Sequence, residues 1–595
     1  MKSIQIGTSD FKELMQRNNY FIDKSLLIKE FIEDGAKIIL TPRPRRFGKT
    51  FNLSMLRYFF DIRTKEETKD LFKGLKIENQ KEIMKLQGEY PVIFITFKNQ
   101  KHISFENFED GIRVLLSNLY KEHDYLLDSD KLTDFDKNDF KEIILRKASI
   151  AGITEGISTL MGYMNKHYGR KVMLFIDEYD VPIQEGYLQG YYQEMIVFIR
   201  NLLTAALKDN PYVEKSLITG ILRVAKESIF SGLNNLKVYT ILSFKFNDKF
   251  GFAEDEVTEL LEYYDLKEKS EEIKNWYNGY VFGGKVIYNP WSVLNYIDNN
   301  EEGFMTYWIN SSSNDLIKRL LIKGDKEIKL DLEYLIEGKT INKVIDDTIV
   351  MAEVEDSNKN IWSFLLLCGY LKAVKTENIE GILNCELKIP NKEVLIFYKN
   401  LIEKWFQDTM TNQKYEEMLT NLVTGDIENF GYAFEEFVMN NLSYFDVSGK
   451  EPEKVYHAFV LGMLVSISNT HEVKSNKESG FGRYDVMIIP KNASKIGIII
   501  EFKKINVLSK ETIDQGTLKA LEQIEDMKYE QELASGGITD IIKLAIVFKG
   551  KEVKITEGNM EYCCGFRCGY ELFTRGNKYN AKRILRGKFH FNGGR

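Results

Sequence analysis

Cysteine, histidine and proline are scarce in this 595-residue chain, at five, six and nine residues. The cysteines, Cys368, Cys385, Cys563, Cys564 and Cys568, are too few and too uneven for a disulfide scaffold and predict a reducing compartment. The trio at 563–568 lacks a second CxxC pair, which argues against zinc. Six scattered histidines compose no Ser-His-Asp arrangement. No Pro- or Ser-rich stretch announces a linker, and no fixed-period repeat is visible. No run of 18 apolar residues occurs, so no membrane span is expected. The longest apolar stretch, 458–467 (AFVLGMLVSI), has the length of a core helix. The opening MKSIQIGTSD lacks an apolar region, which predicts no secretory leader and a cytoplasmic location.

Apolar residues make up 44% and charged residues 28%, which is enough apolar surface to build packed cores. The net charge of −7 excludes a basic nucleic-acid coat but leaves room for a local basic groove. At roughly 100–200 residues per domain, the length predicts three or four domains.

Residues 1–245 alternate short apolar runs with helical stretches. The runs 37–41 (KIILT), 91–97 (PVIFITF), 172–176 (VMLFI), 216–222 (SLITGIL) and 238–242 (VYTIL) read as strands buried on both faces. Strands alternating with helices predict βαβ units and a parallel sheet. Residues 250–420 read mostly helical, with few strong strands. Residues 430–550 read as helices, a hairpin, a helix and a strand. The expected divisions are 1–250, 251–425, 426–560 and a basic, Gly-rich tail, 561–595.

A phosphate cradle is expected where the first strand meets a helix. Residues 41–50 read TPRPRRFGKT. Gly48 permits close backbone approach, Lys49 reaches the β/γ-phosphates, and Thr50 holds Mg²⁺. Arg46 and Phe47 complete the candidate nucleotide-binding set. Arg43 stands where the G-x-x-x-x-G-K-[ST] pattern has its first glycine, so the loop must start with another shape. Arg43, Arg45 and Arg46 add charge for phosphate or a partner. The run VMLFIDEYD (172–180) ends in Asp177 and Glu178 at the carboxyl end of a strand. There Asp177 would hold the Mg²⁺ shell and Glu178 would polarise the attacking water. In SLITGILRVAK (216–226), Thr219 is a candidate γ-phosphate sensor. Arg223 and Lys226 read equally as phosphate contacts or a solvated helix start.

YFIDKSLLIKEFI (20–32), RPRRFGKTFNLSMLRYFF (43–60), FIDEYDVPI (175–183), TGILRVAKESIFSGLNNL (219–236) and WYNGYVFGGKVIYNPWSVLNYI (276–297) resemble the bacterial and archaeal AAA-ATPase-like proteins. Those proteins often carry a C-terminal PD-(D/E)XK nuclease domain. The resemblance extends to about residue 555. It implies a P-loop NTPase α/β core with a parallel sheet, a helical or winged-helix lid, and a C-terminal restriction-endonuclease-like α/β domain. The aromatic stretch 276–297 reads first as core packing around a Gly turn. The alternative is a lid surface touching nucleotide or the nuclease domain.

A second centre follows. Strand candidate 484–489 (YDVMII) is joined by a turn to 496–503 (IGIIIEFK). Glu501 and Lys503 share a face by the period of two, and a hairpin brings Asp485 opposite them. Asp485 and Glu501 would bind Mg²⁺, with Mn²⁺ as the alternative, and Lys503 would assist the attacking water. Helix 454–468 before the hairpin, and helix 513–533 and strand 543–548 after it, fit the D…E-x-K pattern of the PD-(D/E)XK fold. YHAFVLGML (456–464), VKSNKESGFGRYDVMIIP (473–490) and ALEQIEDMKY (520–529) extend the family resemblance. It also implies an acid on the first helix, where Glu453 and His457 both stand as candidates. Ser475, Lys477, Arg483 and Gln523 are candidates for phosphate contact or support of Lys503.

The expected protein binds and hydrolyses ATP and cleaves phosphodiester bonds in DNA, with nucleotide state gating cleavage. The alternative is an ATP-dependent switch or scaffold whose nuclease-like domain binds without efficient cleavage. Expected partners are nucleotide and DNA, with no membrane. Self-assembly into a homo-oligomer is left open.

Overall fold

A computed structural model describes residues 1–222, 236–311, 314–322, 326–349, 351–354, 357–407, 412–441, 463–479, 482–505, 510–549 and 552–558. The chain divides into two compact units. One comprises 1–324 and 334–397, the other 325–333 and 398–595.

The first unit opens on a five-stranded parallel sheet. Its strands are β1 (Ile38–Pro42), β2 (Val92–Thr96), β3 (Val172–Asp177), β4 (Val213–Gly220) and β5 (Leu236–Val238), in spatial order β2-β3-β4-β1-β5. Ile39, Met173, Phe175 and Leu217 pack against Leu53, Leu56, Phe59 and Phe60 of the helix Lys49–Phe60. The alternate residues Leu40, Leu174, Ile176 and Ile218 are buried as well. Both faces are therefore covered, as the continuous apolar runs predict. The strand expected at 238–242 is displaced: pairing with β1 runs from Leu236 to Val238, so the two share only Val238.

Strand order positions the first centre. β4 lies between β1 and β3, so its carboxyl end falls between the loop after β1 and the acids after β3. Open parallel sheets bind ligands at that edge.

Residues after 250 are mostly helical, as expected, and carry two small antiparallel sheets in addition. β6 (Phe252–Ala253), β7 (Tyr280–Phe282) and β8 (Lys285–Tyr288) form one antiparallel sheet. β9 (Ile341–Ile345), β10 (Lys372–Ile379) and β11 (Ile382–Lys388) form another. Their turns carry the signal that the strands lack. Gly283 and Gly284 both have positive φ, as do Glu380 and Gly381. Two such residues in a row make the two-residue hairpin turn. Helices fill the rest of this part, including Pro290–Asp298, Asp315–Ile322 and Asn358–Leu367.

The second unit holds a five-stranded mixed sheet. β12 (His471–Ser479), β13 (Gly482–Pro490), β14 (Gly497–Lys504), β15 (Ile541–Lys549) and β16 (Glu552–Glu557) lie in sequence order. Only β14 and β15 are parallel, and the helix Ile513–Asp526 connects them. Its Ala520, Leu521 and Ile524 pack on Met487, Ile499 and Ala545. The helix expected at 454–468 lies outside the described residues up to 462, and Leu464–Asn469 is a 3₁₀ turn.

Candidate active sites

The loop after β1 is built around two buried cations. Arg43 is fully buried and does not face the loop interior. Its Nη1 donates to Pro42 O (2.8 Å) and Tyr239 O (2.7 Å), and its Nη2 donates to Phe246 O (3.0 Å). Burial lowers its pKa to about 9. A structural anchor thus replaces the expected first glycine. Lys49 donates through Nζ to Arg43 O and Pro44 O, each at 3.0 Å. Burial lowers the Lys49 pKa. Gly48, with φ of 79°, turns the chain into the helix Lys49–Phe60.

The charge expected of the other loop arginines is also partnered. Arg45 donates to Asn314 Oδ1 (3.0 Å) and to the Tyr370 hydroxyl (2.9 Å). The exposed Arg46 lies 4.1 Å from the Trp291 ring. Phe47 packs edge-on against Tyr280, ring centres 4.9 Å apart. Of the aromatic stretch after residue 276, Tyr277, Tyr280, Phe282 and Tyr296 are core packing, Tyr280 and Phe282 also touch this loop through Phe47, and Trp276 and Trp291 are half-buried.

Asp177 gathers hydroxyls from three elements. Thr50 Oγ1 donates to its Oδ2 at 2.7 Å, and Thr219 Oγ1 to its Oδ1 at 2.6 Å. Thr96 adds a longer bond of 3.4 Å. Glu178 follows with φ of 50° and is half-buried. Burial raises its pKa, Asp177 and Asp180 add to the rise, and Lys49 opposes it. Asp180 was not singled out by sequence reasoning, yet it is buried here. Its Oδ2 accepts from Ile221 N (2.8 Å) and Leu222 N (3.0 Å), tying the end of β4 to the turn after β3. Arg223 and Lys226 lie outside the described residues.

The second centre forms where β13 meets β14. Val486 pairs with Ile500 in an antiparallel register, which sets Asp485 opposite Glu501. Asp485 Oδ2 accepts from Phe502 N at 2.8 Å. Glu501 is 2% exposed, and its Oε2 is buried without a hydrogen-bond partner among the described residues. Burial, reinforced by Asp485, raises its pKa to about 8. Lys503 Nζ lies 3.6 Å from Glu501 Oε1 and donates to Gln523 Oε1 at 2.7 Å. Gln523 also bonds the buried Tyr529, which sequence reasoning did not name.

Two family models match in the same order as the two centres. Residues 5–230 match the model described as "Predicted AAA-ATPase", and residues 451–558 match that of the PD-(D/E)XK nuclease superfamily. The chain joins an AAA-ATPase-like region to a PD-(D/E)XK nuclease-superfamily domain. It is also similar to a curated protein of Azotobacter chroococcum mcd 1, described as an uncharacterized protein in the vnfD 5' region. The two are 24% identical over 428 residues, which is 71% of this chain and 75% of the relative.

In the AAA-ATPase-like region, Gly48, Lys49, Thr50, Asp177, Glu178 and Thr219 come together at one edge of the sheet, while Phe47 is buried against Tyr280 and Phe282 and Arg46 lies over Trp291. In the nuclease-superfamily domain, Asp485, Glu501, Lys503 and Gln523 come together. Glu453, His457, Cys563, Cys564 and Cys568 lie outside the described residues, as do the side chains of Ser475, Lys477 and Arg483. Among the described residues, no three His, Cys, Asp or Glu side chains converge as a metal site. No described helix is long and apolar enough to cross a membrane.

Proposed function

We propose that the chain is a nucleotide-hydrolysing enzyme fused to a divalent-metal-dependent phosphodiesterase acting on DNA. The observation that carries the first half is the convergence of Thr50 and Thr219 on Asp177, at 2.7 and 2.6 Å. A hydroxyl from the loop helix and a carboxylate from the third strand fit a hydrated Mg²⁺ between them. That ion would neutralise phosphate charge. Lys49 would leave the carbonyls of Arg43 and Pro44 for the β/γ-phosphates, while Arg46 adds a second cation at the loop apex. Thr219 would read the terminal phosphate. Glu178, whose pKa is raised by burial, would take the proton of the attacking water.

The second half rests on Asp485 facing Glu501, with one Glu501 oxygen unpaired. A buried carboxylate with an orphan oxygen fits a divalent cation, which would stabilise charge at the scissile phosphate. Lys503, held by Gln523, would orient the attacking water.

The test is ATP hydrolysis and DNA cleavage by the purified protein in Mg²⁺ or Mn²⁺, with variants at each centre. Glu178→Gln should retain ATP binding and lose about 10²–10⁴-fold in turnover. Asp485→Ala should abolish cleavage, and unchanged cleavage would refute the second centre.

One observation favours a slower, switch-like ATPase. Arg43 fills the first-glycine position, so the loop lacks that point of close backbone approach. In that reading the nuclease-like domain binds DNA without efficient cleavage, seen as salt-dependent binding with no product.

A further inference from the structure

Three successive carbonyls of the loop after β1 have donors. Lys49 serves Arg43 O and Pro44 O. The third, Arg45 O, accepts from the indole Nε1 of Trp308 at 3.0 Å. Lys49 would leave its two carbonyls for a phosphate, whereas Trp308 has no such second task. Trp308 is 2% exposed and belongs to no strand of the parallel sheet. Its ring packs on Tyr370, centres 5.1 Å apart, and edge-on against Tyr280 at 6.2 Å. Its backbone N donates to Glu393 Oε1 at 2.5 Å, and Ser292 Oγ donates to Glu393 Oε2 at 2.8 Å. Glu393 is fully buried, where giving up either bond is costly.

The loop needs such a hold. Arg46 has φ of 66°, a left-handed conformation that a non-glycine residue keeps only under constraint, and Gly48 follows at 79°. Left-handed residues in a turn curl backbone N–H groups toward an anion. The constraint comes from both sides of Arg46. Trp308 holds Arg45 O, and Gly251 N donates to Phe47 O at 3.0 Å. The Arg45–Arg46 peptide is trans, so its C=O and N–H point opposite ways. With Arg45 O turned to Trp308, the Arg46 N–H is turned away from it.

We propose that Trp308 is a positioning residue for bound nucleotide. By holding Arg45 O it directs the Arg46 N–H toward a phosphate, and Glu393 keeps Trp308 in place. This rests on the nucleotide reading of the loop and adds the residue outside the loop that shapes it.

Calorimetry of ATP binding to the full chain and to Trp308→Phe, with thermal melts of each, is the test. Trp308→Phe keeps an aromatic ring and loses the N–H. ATP should bind it about tenfold more weakly, as expected for one hydrogen bond. Where ATP is turned over, KM should rise by the same factor with kcat kept. Trp362→Phe is the control. Trp362 is 1% exposed in the same unit, and its indole nitrogen has no hydrogen-bond partner among the described residues. Its loss should lower the melting temperature and leave ATP affinity unchanged. Should Trp308→Phe unfold, 3-benzothienylalanine at position 308, which keeps the two-ring shape without the N–H, carries the same test. Parent-like affinity in a folded Trp308 variant, or equal losses of affinity in Trp308→Phe and Trp362→Phe, would overturn the proposal. Failure of the parent chain to bind ATP would instead overturn the nucleotide reading beneath it.

Discussion

Glu501 sits at the end of a buried strand with one oxygen unpaired, and its protonated form is the favoured one. Its pKa rises from an ordinary 4.5 to about 8, so the native state holds a proton there that the unfolded chain releases. Without metal, this group's contribution lowers stability as pH climbs from about 4.5 to about 8 and is constant above. A cation displaces that proton. Apparent Mg²⁺ or Mn²⁺ affinity should therefore rise toward pH 8, by up to about tenfold per unit. Calorimetry in two buffers of different ionisation enthalpy would count the released proton, and a flat affinity from pH 6 to 8 would remove Glu501 from the ligand set. Arg43 carries the opposite charge in the same predicament. Arg43→Gly would restore the common loop pattern yet strand the carbonyls of Pro42, Tyr239 and Phe246. A loss of roughly 3 kcal/mol or more in denaturant-measured stability is expected. At this scale the sequence showed which residue types were present but not which way they turned. Arg43 was legible as an anomaly, whereas its burial depends on a chain segment about 200 residues away.

Among elements, the end of β4 is the most constrained. A Cβ on Gly220 would stand 2.6 Å from Asp180 Oδ1 and 2.8 Å from the Tyr179 ring. Gly220→Ala should displace the Asp177–Asp180 turn and reduce ATPase activity strongly. Gly48→Ala meets no atom within 4 Å but must keep a positive φ, a cost of about 1 kcal/mol. Thermal melts would separate the two, and equal losses of stability would refute the steric account. The buried parallel strands were legible because every residue is apolar. β10 and β11 were not, since their outward faces carry charges such as Lys375, Glu377 and Glu386 and read as helix surface. Asp180 escaped notice because its partners are backbone amides, which leave no mark in the sequence.

For the whole molecule, the two centres lie in separate units, so their chemistry can be uncoupled by mutation. Lys49→Ala should abolish nucleotide binding and leave divalent-metal binding by the second unit intact, as read by calorimetry. Asp485→Ala should do the reverse. If ATP alters cleavage by the parent protein but not by Lys49→Ala, nucleotide state gates the nuclease. The order of the domains was legible, because each centre announces itself by a short strand-end motif. The hairpin register that sets Asp485 against Glu501 was legible too, through the turn between their strands.

The arginine at position 43 also bears on descent. Once two carbonyls from distant positions, those of Tyr239 and Phe246, depend on one guanidinium, a change back to glycine is harmful until the segment around them has changed first. The loop is thereby held to its present form by epistasis, and sister proteins should keep or lose Arg43 together with the packing around Phe250 and Phe282.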